Sequence, residues 1–330
     1  MRYIIRADAS QSIGSGHVMR TSAIAEELIA RGEDVIFVGR ISELPWVEER
    51  ITSLGFSKIH SDTVDFISNP ATDVLLLDSY EIAIDDQFIT LKKWLKVVVL
   101  VDGLTPTYSC TLRIHPGLNP SWFSDSSVPI LAGPKYIPLR ASLAKNTSVY
   151  TRKSKTLKIV VVAGGSDPYN VVLEISKILA DFKESFEAHL FTNSPADYNL
   201  DCRFHFCKIG PSLEEVSRNA DIILTTSSTS SLEFLAQGHC VGVVCAIDNQ
   251  KQYYDQLGQL GVAAQIGTRT DLTGWSFKTE TIHNLLTDSG FRWRIKNEAV
   301  GLIDFMGAKR IVDVMLSLAH GIRDQSGEFD

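Results

Sequence analysis

The feature that most limits the fold is a set of short apolar runs that do not alternate. Val74 to Leu77 is apolar throughout and stops at Asp78, and Val97 to Val101 is apolar throughout and stops at Asp102-Gly103. Leu157 to Val162 is interrupted only by Lys158 and opens onto Ala163-Gly164-Gly165, and Val241 to Cys245 is a fourth such run. A strand with one wet face alternates apolar and polar residues, so runs of this kind belong to strands buried on both faces. Helical patterns lie between them. His17 to Arg31 places Ile24, Ala25, Leu28 and Ile29 on one stripe, turns Glu26 and Glu27 away from it, and ends at Gly32. Strands that alternate with helices predict parallel sheets covered on both faces.

The rhythm runs twice. Further strands are expected at Tyr3 to Arg6, Asp34 to Val38, Ala188 to Phe191 and Asp221 to Thr225. Helices are expected at Trp46 to Leu54, Asp85 to Trp94, Asn170 to Leu179, Leu213 to Asn219 and Ser231 to Ala236, from Asp248-Asn249-Gln250 onward, and near 282–300 and 308–320. Residues 141–156 are polar, basic and without period. A chain of 330 residues is longer than one core usually supports. The expectation is therefore an α/β protein of two Rossmann-like domains. Residues 1–142 form the first, 143–156 the linker and 157–330 the second, and the two face each other across a cleft. Ligands of such sheets bind beyond the carboxyl ends of the strands.

Composition removes several function classes. With 32 Lys and Arg against 39 Asp and Glu the net charge is −7, which argues against a nucleic-acid partner. No apolar run reaches transmembrane length, and Arg6 and Asp8 interrupt the first apolar stretch, so neither a membrane partner nor a signal peptide is expected. The five cysteines, Cys110, Cys202, Cys207, Cys240 and Cys245, match no zinc spacing. His60, His115, His189, His205, His239 and His283 show no ligand spacing either. No metal and no cofactor is expected, and the protein reads as cytoplasmic, a monomer or weak homodimer.

Three loops carry candidate chemistry. The first, Gly14-Ser15-Gly16-His17, follows the first strand. A dinucleotide fingerprint needs a third small residue where Met19 stands and an acid where the second strand ends Val38-Gly39-Arg40. Arg40 leaves a 2′-phosphate open, but the missing glycine disfavours a nicotinamide cofactor. Gly14 and Gly16 let a ligand approach the backbone. His17 falls in the first helical turn, where the dipole disfavours imidazolium, so it is either a neutral general base or a packing residue. The second loop, Gly164-Gly165-Ser166-Asp167, is either an anion cradle or a capped turn. The third is the hydroxyl tract Thr225 to Ser231, with Ser228, Thr229 and Ser230 at the helix start. Glu233 follows, for ribose hydroxyls or for the dipole.

The stretch Arg6-x-Asp8-x-Ser10-x-x-Ile13-Gly14-x-Gly16-His17-Val18-Met19-Arg20 resembles the N-terminal signature of the PseG family, whose fold is similar to the MurG-type, GT-B glycosyltransferases. The resemblance continues through Leu77-Asp78-Ser79-Tyr80, Val101-Asp102-Gly103, Gly133-Pro134-Lys135-Tyr136, Leu139-Arg140, Gly164 to Pro168 and Asn249-Gln250. It implies hydrolysis of a UDP-sugar of the UDP-2,4-diacetamido-2,4,6-trideoxyhexose type at C1, with release of UDP and the free sugar. Such a step serves pseudaminic acid or related nonulosonate biosynthesis. Water attacks in a single metal-independent step with inversion.

In that reading His17 is the general base, Tyr80 lines the sugar side, and Asp8 orients His17 or its loop. Gly14, Gly16 and Arg20 lie on the substrate side. Gly164, Gly165, Ser166, Ser228, Thr229 and Ser230 hold phosphates, Glu233 takes the ribose, and Asn249 with Gln250 approaches sugar or diphosphate. The family's usual Asp-His-Tyr is here Asp78-Ser79-Tyr80, its Asp-Asp is Asp102-Gly103, its Asn-rich segment is Ile114 to Asn119, and the glycine of the hydroxyl loop is missing. Most of these departures bear on the sugar. The alternatives are a GT-B glycosyltransferase with a UDP-sugar donor and an inactive nucleotide-sugar binding module.

Overall fold

The computed structural model describes residues 1–55, 57–59, 69, 71–79, 94–101, 110–119, 128–146, 156–193, 200–210, 212–270 and 274–320. Tyr80, Asp102, Gly103 and the expected helix from Asp85 up to residue 93 lie outside them. The chain forms two compact units, Met1–Arg140 together with Phe305–Asp330, and Ala141–Asp304.

The first unit runs β1 (Arg2–Ala7), α1 (Gly16–Ala30), β2 (Asp34–Val38), α2 (Pro45–Ser53), β3 (Ser57–Ile59), β4 (Val74–Asp78), β5 (Lys96–Leu100), β6 (Leu112–His115) and β7 (Ile130–Ala132). The strands form one sheet in the order β3-β2-β1-β4-β5-β6-β7, and each pair is parallel. Strand order reverses between β1 and β4, the switch point at which α/β sheets place their ligands. Both faces are buried. Ile5, Leu76, Val98 and Ile114 point to a core shared with Val18, Ile24 and Leu28 of α1, while Ile4, Leu75, Leu77 and Val99 fill the opposite face.

The second unit repeats the plan. It runs β8 (Leu157–Val162), α3 (Val171–Ala180), β9 (Phe186–Phe191), β10 (Phe204–Cys207), α4 (Ser212–Arg218), β11 (Ile222–Thr226), α5 (Thr229–Ala236), β12 (Val241–Cys245), α6 (Asp248–Gln259), β13 (Ala264–Arg269), β14 (Trp275–Phe277), α7 (Thr279–Thr287) and α8 (Ser289–Ala299). Its sheet order is β10-β9-β8-β11-β12-β13-β14, with only the last pair antiparallel.

Three expectations are corrected. The C-terminal domain does not extend to residue 330. After Asp304 the chain returns to the first unit, and α9 (Gly307–Ala319) packs there. Ile311, Val312 and Met315 lie in the core that holds Val18 and Leu28, and burying such side chains stabilises by about 1.5–3 kcal/mol each. The first unit ends at Arg140, and the expected linker begins with a short 3₁₀ turn, Ala141–Asn146, whose buried Leu143 accepts a hydrogen bond from Gln237 Nε2 at 3.4 Å. The single helix expected near 282–300 is two, α7 and α8. Asp288 breaks it by leaving the helical region (φ −99°, ψ 100°) and capping α8, its carboxylate accepting from the Gly290 and Phe291 amides at 2.8 and 3.0 Å.

Candidate functional site

The loop after β1 turns through Gly14, whose φ of +85° suits glycine, and its amide donates to the Ser10 carbonyl at 2.8 Å. α1 then starts at Gly16 with no side-chain cap. His17 and Arg20 stand three residues apart, on one face of α1. That face meets the end of β4, which lies beside β1 with Ala7 opposite Asp78. His17 Nδ1 is 2.6 Å from Asp78 Oδ1. Arg20 Nε donates to Asp78 Oδ2 at 2.6 Å and its Nη2 to Oδ1 at 2.7 Å, with Nη2 3.3 Å from His17 Nδ1. Asp78 is 1% exposed, Arg20 4% and His17 5%.

A nitrogen 2.6 Å from a carboxylate oxygen needs a proton between them, so the geometry assigns a proton to Nδ1 and leaves Nε2 as the ring nitrogen not engaged by Asp78. Burial disfavours an ionised Asp78, but the charges of Arg20 and His17 and the hydrogen bonds from both outweigh it. The carboxyl is held well below the usual carboxylate range.

This arrangement shows what two of the expected residues contact. Asp8 does not touch His17. Its carboxylate accepts from Arg6 Nη1 and, at 2.8 Å, from the Arg40 amide, so it fastens the end of β1 to the end of β2. Arg20, expected on the substrate side, is engaged with Asp78. The residue in contact with His17 Nδ1 is Asp78, of the Leu77-Asp78-Ser79-Tyr80 motif, for which the sequence implies no separate role. An acid that ends a wholly apolar strand has to find a partner, and that was the available signal.

In the second unit the other two expected loops and the Asn249-Gln250 turn follow the adjacent strands β8, β11 and β12. Gly164, at φ +90°, turns the chain out of β8 where a Cβ would stand 3.5 Å from Ser230 Oγ, so this loop and the start of α5 are neighbours. Gly165 and Ser166 are half-buried. Asp167 caps α3, accepting from the Val171 and Val172 amides at 2.7 and 3.0 Å; burial raises its pKa against those bonds.

The hydroxyl tract divides by task. Ser227 donates to the carbonyls of Val244 and Gln250 at 3.2 and 3.1 Å, and Ser231 to the Ser228 carbonyl at 2.7 Å. Ser228, Thr229 and Ser230 are half-buried at the opening of α5, Ser228 sharing a hydrogen bond with Thr226 at 2.9 Å, and Glu233 is half-buried one turn on. Ser228 stands at the N-cap position without capping through its side chain. Gln250 Oε1 accepts from the Ala246 amide at 3.0 Å and so braces the β12–α6 turn, while Asn249 is exposed. The second unit therefore gathers backbone amides and neutral hydroxyls at helix starts, the donor set for an anion. Among the described residues no cluster of His, Cys, Asp and Glu is arranged to hold a metal ion, and no helix is long and apolar enough to cross a membrane.

No family model matches the chain. It is 24% identical over 283 residues to an uncharacterised protein of Methanocaldococcus jannaschii, covering 77% of this chain and 58% of that one, so it spans little more than half that relative's length. It is 24% identical over 199 residues to the UDP-2,4-diacetamido-2,4,6-trideoxy-β-L-altropyranose hydrolase of Campylobacter jejuni, covering 56% of this chain and 67% of that one. Solved structures match along nearly the whole chain. The glycotransferase of kitacinnamycin has a TM-score of 0.66 at 12% identity, covering 96% of this chain and 98% of that one. MurG of Acinetobacter baumannii has 0.63 at 13%, covering 96% and 100%. Glycosyltransferase VinC in complex with dTDP has 0.61 at 12%, covering 97% and 100%. With two seven-stranded sheets built on one strand order, the chain has the GT-B fold of the MurG-like glycosyltransferases.

Proposed function

We propose that the protein is a nucleotide-sugar-dependent enzyme that breaks the anomeric C–O bond of a sugar nucleoside diphosphate, with His17 as general base. The observation that carries this reading is the His17–Asp78 pair, in which a buried carboxylate holds Nδ1 and leaves Nε2 as the nitrogen that would take the proton. The oxygen of a hydroxyl group attacks C1, its proton passes to Nε2, and the C1–O bond breaks with its electron pair leaving on the nucleoside diphosphate. Attack from the far side inverts the anomeric centre. The diphosphate is a stable leaving group that needs no acid carboxylate, unlike the leaving groups of ordinary glycosidases. Gly164 to Ser166 and the Ser228 to Ser230 helix start supply its amides and hydroxyls, Glu233 takes the ribose, and Asn249 lies on the same donor side.

The first reading is transfer to an acceptor alcohol, supported by the glycosyltransferase neighbours, one of them bound to dTDP. The second is hydrolysis, with water in the acceptor's place and a UDP-2,4-diacetamido-2,4,6-trideoxyhexose as substrate. It is supported by similarity to the Campylobacter hydrolase and by the Gly14 to Arg20 signature. UDP release from a UDP-sugar separates the two. Full-rate release without an acceptor supports hydrolysis, and release that requires an added alcohol supports transfer. No release from any UDP- or dTDP-sugar, with or without alcohols, would overturn both. Early NMR of the product reads inversion.

A further inference from the structure

The alternation that buries one face of β9 decides what the other face presents. Phe186, Ala188 and Leu190 enter the second core together with Phe204 of β10. Glu187 and His189 therefore share the opposite face. The register sets His205 of β10 beside His189, and Cys207 follows two residues on, on the same face. A carboxylate, two imidazoles and a thiol meet there. His189 Nε2 is 2.9 Å from Glu187 Oε1, and His189 Nδ1 is 3.9 Å from Cys207 Sγ. The ring of His205 lies 5.4 Å from that of His189, its Nε2 is 3.9 Å from Glu187 Oε1, and its carbonyl oxygen is 3.9 Å from the same sulfur. Lys158 of β8 stands opposite Glu187 in the sheet, and Arg203 closes on Asp201 at 2.7 Å. Among the described residues the titratable groups in contact with the His189 ring are Glu187, His205 and Cys207.

One imidazole thus links a carboxylate to a thiol. The proton shared with Glu187 sits on Nε2, so Nδ1 faces the sulfur, and the Sγ–Nδ1 pair can carry its own proton on either atom. A nucleophile beside a base that a third group orients is the arrangement by which side chains are activated. Burial pushes the Cys207 thiol up, so without a base it would be a slower nucleophile than an ordinary exposed thiol. Cys207 is half-buried, which leaves the sulfur open to a small co-reactant. We propose that Cys207 is a nucleophilic thiol served by His189 as base, with Glu187 as the positioning residue, and that it exchanges with small disulfides. The thiol proton passes to Nδ1 and Sγ bonds to one sulfur of the disulfide. The S–S bond breaks with its electron pair on the leaving sulfur, which takes the proton from Nδ1. One disulfide replaces another, with no net oxidation. The site lies at the carboxyl end of β10, two strands from β8, and does not depend on the reading of His17.

The test treats the full chain with 2-hydroxyethyl disulfide and follows each thiol by mass spectrometry. Cys202 is exposed and serves as the reference, and tryptic cleavage after Arg203 puts it and Cys207 on separate peptides. An unaided thiol below its midpoint gains about tenfold in rate per pH unit, because only the thiolate attacks. A thiol that passes its proton to a neighbouring base keeps that proton within the pair, and its rate changes little between pH 7 and 8. Cys207 should show the flat profile and Cys202 the steep one. His189→Gln should slow Cys207 by about tenfold or more at pH 7 and give it the steep profile, with Cys202 unchanged. Glu187→Gln should slow Cys207 less and extend its flat range toward acid, since a ring without its carboxylate takes a second proton less readily. A steep profile at Cys207 in wild type overturns the proposal, as does a Cys207 that does not react or that keeps its rate in His189→Gln. If His189→Gln does not fold, the wild-type profile decides.

Discussion

The two sheets share a strand order and finish it differently. At its carboxyl edge the first sheet carries Arg6, Asp8, Asp78 and His115, with His17 and Arg20 just beyond on α1. The second sheet's equivalent loops carry Gly164, Gly165, Ser166 and the hydroxyls from Thr226 to Ser230. One scaffold thus carries two kinds of edge. Buried charges must be matched partner for partner, which fixes a histidine tautomer, whereas neutral amides and hydroxyls receive an anion without a resident counter-charge. In the proposed reaction the first edge handles the proton and the second holds the diphosphate.

The strongest test of that division is His17→Ala. It should cut turnover by about 10²–10⁴-fold and leave UDP affinity close to wild type, read by UDP release and calorimetry. Equal loss of both would make the histidine structural and dissolve the contrast. Next is Asp78→Ala, which removes the buried carboxylate that Arg20 and His17 share and should lower stability by about 3–5 kcal/mol. Denaturant unfolding checks it, and a loss under about 1 kcal/mol would mean the network is not buried in solution.

A third test sharpens the comparison away from the edges. His239 in the second unit is fully buried with neither ring nitrogen hydrogen-bonded, and burial, aided by Lys296, lowers its pKa from 6.5 to about 4. The folded state therefore refuses a proton that the unfolded chain accepts below 6.5. Stability should be level above that pH and fall as pH drops toward 4, by about 3 kcal/mol in all. His239→Leu should remove this slope; an unchanged slope would place its origin elsewhere. The smallest effect is expected from Gly164→Ala, where a side chain at φ +90° is strained. It should cost about 1–2 kcal/mol in stability and weaken UDP binding, read by denaturant unfolding and calorimetry.

Much of the scaffold is legible in the sequence, because buried parallel strands announce themselves locally. Leu157–Val162 and Val241–Cys245 coincide with β8 and β12. Short strands at the sides were not readable. Leu112–His115 includes Arg113 and His115, and Trp275–Phe277 is a three-residue antiparallel edge. His17, the loop glycines and the hydroxyl helix start could be singled out because each lies at a strand-to-helix turn. The partnership of His17 with Asp78 could not. The two are 61 residues apart and meet only because β4 pairs with β1, a choice of neighbour that no local pattern encodes. The return of α9 is hidden for the same reason, since its apolar stripe states that it packs but not on which core.

That return has a consequence for synthesis. A ribosome finishes residues 1–140 long before it reaches Ile311, Val312 and Met315, so the first unit emerges with part of its interior missing, while Ala141–Asp304 carries a core of its own. Chains are made at about 5–20 residues per second. The later-made half therefore has its whole sequence in hand before the earlier one does, and the nascent first half must wait with an open apolar face until the last helix arrives to close it.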